Sequence, residues 1–572
     1  ADLDGACTVV GLAMRSDVEA GLQRAGEQGP ERPLAVTFRP LGDSDGQRAQ
    51  SITAMWRDVR RTAGELTITD GVISHPTGTS SDFGRFAQAA AATPVSDVMV
   101  KDAKDWKLIG SKAPRIDVVA KTNGSAEFGI DVRLPNMVYA VVRHAPQLGG
   151  SPGAVDPDAA LKLAGVERVV RLGPYAGSTD ALAVVGRSTW HAQRGAQALQ
   201  VTWQAPPAGV VSSAAIMQAL EATARAAAAG QGGLAFHGRG DAAAALGGAA
   251  RRVEQVYRAP YLAHAPLEPI NCTARVSGDG AARRVEVWAP TQVPGAARAI
   301  AARAAGVADE AVTVHVTYLG GGFGRRLDVD FVGQAVRVAL ELDGRPVQLI
   351  WPREEDIGHD FYRPAGVALM QAGLDAQGLP TALAITSAGD AITPRWMARV
   401  LPALAGPIDM PDKTTSEGLF DQLYGIPNQR IAHVATHSGV PVGYWRSVGH
   451  SHNAFFIESF IDELAHEARQ DPVAFRLALL KDAPRHAAVL KLAADRGGWG
   501  KPLPAGRARG VALHESFGSI VAQVVEVSLV AGQPRVHRVV CAADVGTVVN
   551  PGIVAQQMEG GVMFGLGAAL FQ

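Results

Sequence analysis

Cysteine is scarce in this chain: Cys7, Cys272 and Cys541 are the only three among 572 residues, and no two of them form a C-x-x-C pair. That spacing excludes an iron–sulfur cluster or a cysteine-rich zinc site built from this chain alone, so any such centre belongs to a partner. A charge excess is missing too. With 54 basic and 55 acidic residues and no long run of either sign, the surface lacks the electrostatic footprint of a nucleic-acid binder. No apolar run reaches the ~18 residues needed to span a bilayer, so no transmembrane segment is expected. Residue 1 is alanine with no basic-then-apolar leader after it, and any export signal is expected to be already gone. What the chain does have is length and 64 glycines. At ~150 residues per domain, about four units are expected.

The glycines concentrate most tellingly at Val314 to Arg326, V-H-V-T-Y-L-G-G-G-F-G-R-R. Before it, Pro294 opens an alanine-rich run that closes on Gly306, as a helix with proline in its first turn and glycine past its end reads. Val312, Val314 and Val316 then alternate with polar residues, the period of a half-buried strand. Gly320, Gly321, Gly322 and Gly324 lack a Cβ, so their amides can come close to a bound anion or oxo group. Asp328 reads as the cap of a following helix striped by Phe331, Val332, Ala335, Val336 and Ala339. Strand, glycine loop and helix suggest a dinucleotide fold, yet Arg325 stands where the third glycine of G-x-G-x-x-G belongs. A tight turn without a ligand remains the plain alternative.

The remaining chain reads as mixed α/β. Residues 1–105 show short apolar patches (Cys7 to Met14, Leu34 to Phe38) and a hairpin, Leu66 to Thr69 and Val72-Ile73, across an Asp70-Gly71 turn. From 106 to 205, strands are expected at Glu127 to Val132, Met137 to Val142 and Val166 to Val170, with helices at Ala159 to Leu163 and Trp190 to Leu199. Residues 206–250 read as a linking helix and loop, 251–485 as a large α/β region and 486–572 as a shorter one.

Three more segments join the loop. In Tyr261 to Cys272, His264 and Glu268 are open to reading as metal ligands, as acid–base groups or as parts of a proline-shaped loop. In Gly439 to Asn453, Arg446 precedes a helix starting near Ser451, with Phe456, Phe460 and Leu464 on one face and Glu458, Asp462 and Glu463 among its polar positions. That arginine suits an anionic group, or equally a surface carboxylate. In Asp544-Val545-Gly546 with Asn550-Pro551, Asn550 caps a helix carrying Gln557.

Together these passages resemble the large, molybdopterin-binding subunit of the xanthine oxidase family, in its isoquinoline 1-oxidoreductase β-subunit and membrane-associated aldehyde dehydrogenase branch. The likeness covers Gly110 to Gln572 and rests on signatures in family order: G-S-K-A-P-R-I-D-V-V-A-K at 110–121, F-G-I-D-V-R-L-P at 128–135, A-P-L-E-P-I-N-C-T-A at 265–274, the glycine loop, V-G-Y-W-R-S-V-G-H-S at 442–451, and D-V-G-T-V-V-N-P at 544–551 through G-G-V at 560–562. It implies an α/β (α+β) multi-domain large subunit. Residues 1–105 would be the divergent start of a molybdopterin-binding domain, 106–205 an a/b hammerhead, 206–250 a linker, and 251–485 and 486–572 two molybdopterin-binding domains, the last incomplete.

The resemblance further implies a molybdenum–molybdopterin cytosine dinucleotide cofactor and hydroxylation of an aldehyde or N-heteroaromatic with water-derived oxygen. Electrons would leave through a small [2Fe-2S] partner and a cytochrome c subunit carrying haem c, with the assembly periplasmic and membrane-associated through a partner. By position, Gln292 should approach the metal, which no protein side chain ligates, Phe323 with the Gly321 to Gly324 backbone should face its apical oxo group, and these two with Arg446 are the catalytic candidates. Gly320, Gly321, Gly322, Gly324 and Gly546 should approach the cofactor. Trp445, Arg446 and Ser447 should line the pterin, Gln557 should touch it or its phosphate, and Val448 should border the substrate.

Departures from the family pattern shape these expectations. Leu327 stands where purine-oxidising relatives carry an acidic residue, which disfavours purines. Met14 to Val18 occupies the place of an M-G-Q-G-V turn but lacks both glycines and the glutamine, and the passage at Gln47 to Ser51 is likewise reduced. The family's catalytic glutamate, in a G-E-P-G-like motif, would fall beyond Gln572. An active hydroxylase lacking segments here and a degenerate, non-catalytic structural subunit are the two readings left open.

Overall fold

The computed structural model describes residues 7–11, 66–69, 71–78, 80–92 and 100–571. The turns expected at Met14 to Val18 and Gln47 to Ser51, the patch Leu34 to Phe38, Asp70 and Gln572 lie outside the described residues. The chain divides into two units, one of residues 1–12, 113–546 and 552–572, the other of 13–112 and 547–551. In the smaller unit, Thr67–Thr69, Val72–Ser74 and Ser80–Asp82 form an antiparallel three-stranded sheet. Gly71, with φ of 78°, makes the first turn.

The larger unit is built on three main sheets. Seven strands run in the order Val312–Val316, Arg284–Ala289, Asn271–Ser277, Val347–Ile350, Val138–His144, Ala181–Gly186 and Val166–Leu172. Strands from 106–205 therefore share one sheet with strands from 271–350, joined where Val138–His144 pairs in parallel with Val347–Ile350. The apolar strand Ala181–Gly186 is buried at all six residues, the reading of a strand covered on both faces. Helix Pro294–Ala305 starts at its proline and ends at Gly306 with φ of 66°, as proline and glycine placement requires. It packs with helix Asp330–Ala339 against this sheet. The second helix buries Phe331, Val332, Ala335, Val336, Val338 and Ala339. At roughly 1.5–3 kcal/mol for each large apolar side chain removed from water, this helix anchors the end of the glycine loop firmly.

A five-stranded sheet, in the order Leu234–Arg239, Asn428–Thr436, Pro380–Asp390, Gly366–Leu374 and Arg251–Ala259, packs on helix His450–Glu467. Residues 206–250 do more than link, since they add its edge strand Leu234–Arg239 and helix Ser213–Ala226 against it. Helix His450–Glu467 buries Phe456, Phe460 and Leu464 as its period implies. Glu458 is buried as well, held by Arg476, Tyr424 and the Leu513 amide. The third sheet pairs Cys7–Gly11 in parallel with Gln533–Asp544, followed by Ser519–Val530 and Arg507–Ser516. Helix Pro551–Phe571 comes after it in sequence. Among the described residues no helix is long and apolar enough to cross a membrane.

Two local expectations are corrected. Glu127 to Val132 is not a strand but contains a 3-10 turn, Gly129–Asp131, because Asp131 and Glu268 take the amides of Phe128 and Ile130 that a ladder would need. Asp328 does not cap helix Asp330–Ala339, which follows Val329 directly. It is buried instead against Arg399, 2.5 Å from its Nε.

Candidate functional site

The strand Val312–Val316 delivers the glycine loop at the edge of the seven-stranded sheet, and the loop lies on Gln292. A Cβ at Gly322 would come 2.4 Å from Gln292 Oε1, and one at Gly324, where φ is 111°, would come 1.7 Å from the Tyr444 carbonyl oxygen. The clash at the first position is with the end of a side chain that can move, whereas at the second glycine is required for both approach and conformation. The Gly324 amide donates to Gln292 Oε1 at 3.3 Å. The amides of Gly321, Gly322 and Phe323 meet no acceptor among the described residues. Successive main-chain donors without internal acceptors are the kind of group that takes anions or oxo groups.

A buried ionic frame fixes this loop from beneath. Arg326, fully buried, donates to the carbonyls of Gly321, Pro290 and Glu268 and to Glu268 Oε2. Burial pushes its guanidinium down to about 10 against the pull of Glu268. Glu268 also accepts the amides of Gly320 at 2.7 Å and Ile130 at 2.9 Å. Arg325 forks onto Asp330 at 2.9 and 3.0 Å, with Nε 3.0 Å from Asp360 but not aligned to hydrogen-bond. Burial opposes its charge, yet Asp330 and Asp360 outweigh burial and raise its pKa. His264 sets Nδ1 against Asp360 at 2.9 Å and Nε2 against the Tyr444 carbonyl at 2.7 Å. The side chains of His264 and Glu268 are therefore engaged in shaping the loop. The pair Arg325-Arg326 reads in sequence only as the break in a glycine motif, because its partners lie up to 58 residues away.

Residues 444–448 form the facing wall. Phe323, Ser447 and Val448 all have positive φ, at 53°, 71° and 52°, a costly conformation for residues with side chains and most of all for β-branched valine. Trp445 donates to the Ala263 carbonyl. Among the described residues Arg446 pairs with no carboxylate; its Nη2 donates to the Gln557 carbonyl at 3.3 Å and to Gln557 Oε1 at 3.2 Å. Phe564, two turns further along that helix, stacks on both Phe323 and Trp445.

Gln292, Phe323, Trp445, Arg446 and Gln557 are thus brought together around Gly320 to Gly324. Leu327 follows the loop, its carbonyl accepting from Trp396, and Ser447 and Val448 border the facing wall. Gly546 stands in the turn after Gln533–Asp544, its amide on Asp544, and a Cβ there would meet nothing within 4 Å. The sequence reading passed over Phe564, although its spacing of seven from Gln557 sets it on the same helical face.

The donor set fits a molybdopterin-type group: main-chain amides for oxo or phosphate oxygens, Gln292, and an arginine, the amides and the arginine without acceptor or charge partner among the described residues.

Another cluster, His144, Glu355 and His359, gathers metal-type ligands, yet its bonds favour a proton chain. Trp351 donates to Gln334 Oε1, so the Gln334 amide donates to His144 Nε2, and His144 Nδ1 donates to Glu355 at 2.8 Å. The two imidazoles stack 4.5 Å apart at 26°, and both ring nitrogens of His144 already have partners in Glu355 and Gln334. Burial would raise the Glu355 carboxyl, but the hydrogen bond from His144 and the His359 imidazole 3.3 Å away outweigh it and hold it at about 2. Burial lowers His359, but Glu355 wins and raises it. The Glu355 contribution is therefore present above the ordinary carboxylate range and lost as pH falls toward 2. The His359 contribution is present below ~6.5 and fades as pH rises through its raised value. We expect Glu355→Gln to cost about 1–3 kcal/mol, most between roughly pH 4.5 and 6.5. Thermal unfolding of both proteins at pH 5.5 and 8.5 checks this; a gap no narrower at pH 8.5 contradicts it.

Comparison with known proteins identifies the family. Residues 228–479 and again 502–572 match the molybdopterin cofactor-binding domain, together more than half of the chain. The chain is 33% identical over 504 residues to isoquinoline 1-oxidoreductase subunit beta of Brevundimonas diminuta, covering 85% of this chain and 62% of that protein. It is 27% identical to a membrane-bound aldehyde dehydrogenase (pyrroloquinoline-quinone) of Gluconacetobacter polyoxogenes, covering 86% of this chain and 66% of the relative. The chain thus spans less than two thirds of the length of either relative. The fold of quinoline 2-oxidoreductase from Pseudomonas putida 86 superposes with a TM-score of 0.54 at 19% identity, over 73% of this chain and 58% of that one. On these matches, the chain belongs to the xanthine oxidase family of molybdopterin-binding large subunits.

Proposed function

We propose that this chain is the cofactor-bearing part of a molybdenum hydroxylase that oxidises an aldehyde or an N-heteroaromatic compound. The observation that carries this reading is the row of amides at Gly321, Gly322 and Phe323 without acceptors among the described residues, next to the Gly324 amide on Gln292 and with Phe323 stacked on the helix that holds the Arg446–Gln557 pair. A bound molybdopterin, in its cytosine dinucleotide form, supplies two-electron chemistry in which water provides the oxygen.

The chain's own residues bind and orient. The loop amides present fixed donors that need no reorganisation during turnover. Gln292, whose Oε1 is held by the Gly324 amide, has an NH2 that meets no acceptor among the described residues. Arg446 and Gln557 hold the pterin or its phosphate, and Val448 and the uncharged Leu327 border the substrate. Apolar edges there suit an aromatic ring or an aldehyde better than a purine, which would leave polar atoms unpaired. The relatives' names, isoquinoline oxidoreductase and aldehyde dehydrogenase, support this range. Electrons pass to a small [2Fe-2S] partner and onward to a cytochrome c, consistent with three scattered cysteines.

The purified complex should reduce an artificial dye with aldehydes or N-heteroaromatics and carry label from 18O-water into the product. Product without label, or no turnover across both classes from a molybdenum-loaded complex, contradicts the assignment and favours a structural subunit.

A further inference from the structure

Phe323 is the only side chain inside the glycine loop, and it sits at φ of 53°, a conformation that persists only where surroundings over-determine it. Those surroundings come from a distant part of the chain. The Phe564 ring lies 4.6 Å from Phe323 at 26° and 4.6 Å from Trp445 at 25°, so one ring is stacked on both. The Arg446 guanidinium stands over the same ring at 5.6 Å, while its Nη2 is tied to Gln557 on the same helix. Trp445 is also held by the Arg363 guanidinium over its ring and by its bond to the Ala263 carbonyl. Phe564 is half-buried, so this ring contributes more to the arrangement of two loops than to a core.

We propose that Phe564 is a positioning residue: its ring, wedged between Phe323 and Trp445, holds the glycine loop in the conformation that presents its free amides and fixes that loop to the 444–448 wall. Without the wedge, Phe323 is free to leave its left-handed conformation, and the amides on either side of it turn with it. The role assigned to those amides rests on the molybdopterin reading given above; the coupling of ring to loop does not.

The test is hydrogen exchange on the purified complex at the bonded amides of Gly324, Arg325 and Leu327, whose acceptors are Gln292 Oε1 and the carbonyls of Gly322 and Gly324. Molybdenum content is read in parallel. Phe564→Ala should speed exchange there by roughly tenfold or more, the worth of two aromatic stacks, and lower molybdenum content. Exchange in helix Pro294–Ala305 should stay as in the wild type. Phe564→Tyr should restore both readouts, and Met563→Ala, an exposed neighbour on the same helix, should change neither. If Phe564→Ala does not accumulate, Phe564→Leu keeps bulk without a ring face and should give the same exchange result. Wild-type exchange at 324–327 in the ring-less variants overturns the proposal, as does equal acceleration throughout the chain. A wild-type complex without molybdenum would sink the cofactor reading, while the exchange data would still decide the role of Phe564.

Discussion

Replacing Gly324 by alanine is expected to destroy the junction between the glycine loop and the 444–448 wall. The new Cβ would sit 1.7 Å from the Tyr444 carbonyl oxygen, a main-chain atom that cannot swing away. That carbonyl is itself held by His264 Nε2 at 2.7 Å, and His264 by Asp360, so retreat would break a buried chain of bonds. Strain at φ of 111° adds to the clash. Together we expect a loss of about 3–5 kcal/mol, with molybdenum content falling to near zero in whatever complex survives. Gly306→Ala is the control, since it shares a positive φ but meets nothing within 4 Å; it should cost only about 1 kcal/mol. Thermal unfolding and metal analysis of the two variants separate clash from conformation, and equal losses would contradict the steric account.

The second large effect is expected at Arg326. Removing its guanidinium in Arg326→Met leaves the Glu268 carboxylate buried without its cation and strips the donor from the carbonyls of Gly321, Pro290 and Glu268. Breaking a buried pair from one side costs about 3–5 kcal/mol because an uncompensated charge stays behind. For the larger unit, about 470 residues, that is a fall of roughly 3–5 °C in unfolding midpoint. Adding Glu268→Gln removes the stranded charge and should return part of the loss, about 1–3 kcal/mol. A double variant no more stable than Arg326→Met would show that the carbonyl bonds, not the ion pair, dominate.

These two residues also mark where sequence reasoning succeeds and where it stops. Strand Val312–Val316, helix Pro294–Ala305 and the apolar face of Asp330–Ala339 are legible because each follows from local period and end signals. The glycine loop is legible as a place of close approach. What approaches it is not, since Tyr444 and Gln292 come from other loops. Glu127 to Val132 alternates like a strand, but Glu268 takes one of its amides from 138 residues away, and tertiary bonding overrides the pattern. Asp328 looks like a cap until Arg399, 71 residues on, claims it. Phe564 lies in a glycine-rich run whose period reveals a face, while the partners of that face become visible only in three dimensions. The signatures joined by family resemblance cross these distances because they bring the fold with them.

The central claim is that this chain holds molybdopterin on the Gly320 to Gly324 loop. The most direct measurement is the molybdenum and released CMP content of the intact, freshly purified complex, compared between wild type and Gly324→Ala. The account requires about one molybdenum and one CMP per chain in the wild type and near none in the variant. Wild-type protein with neither, or a variant as fully loaded as the wild type, would contradict it.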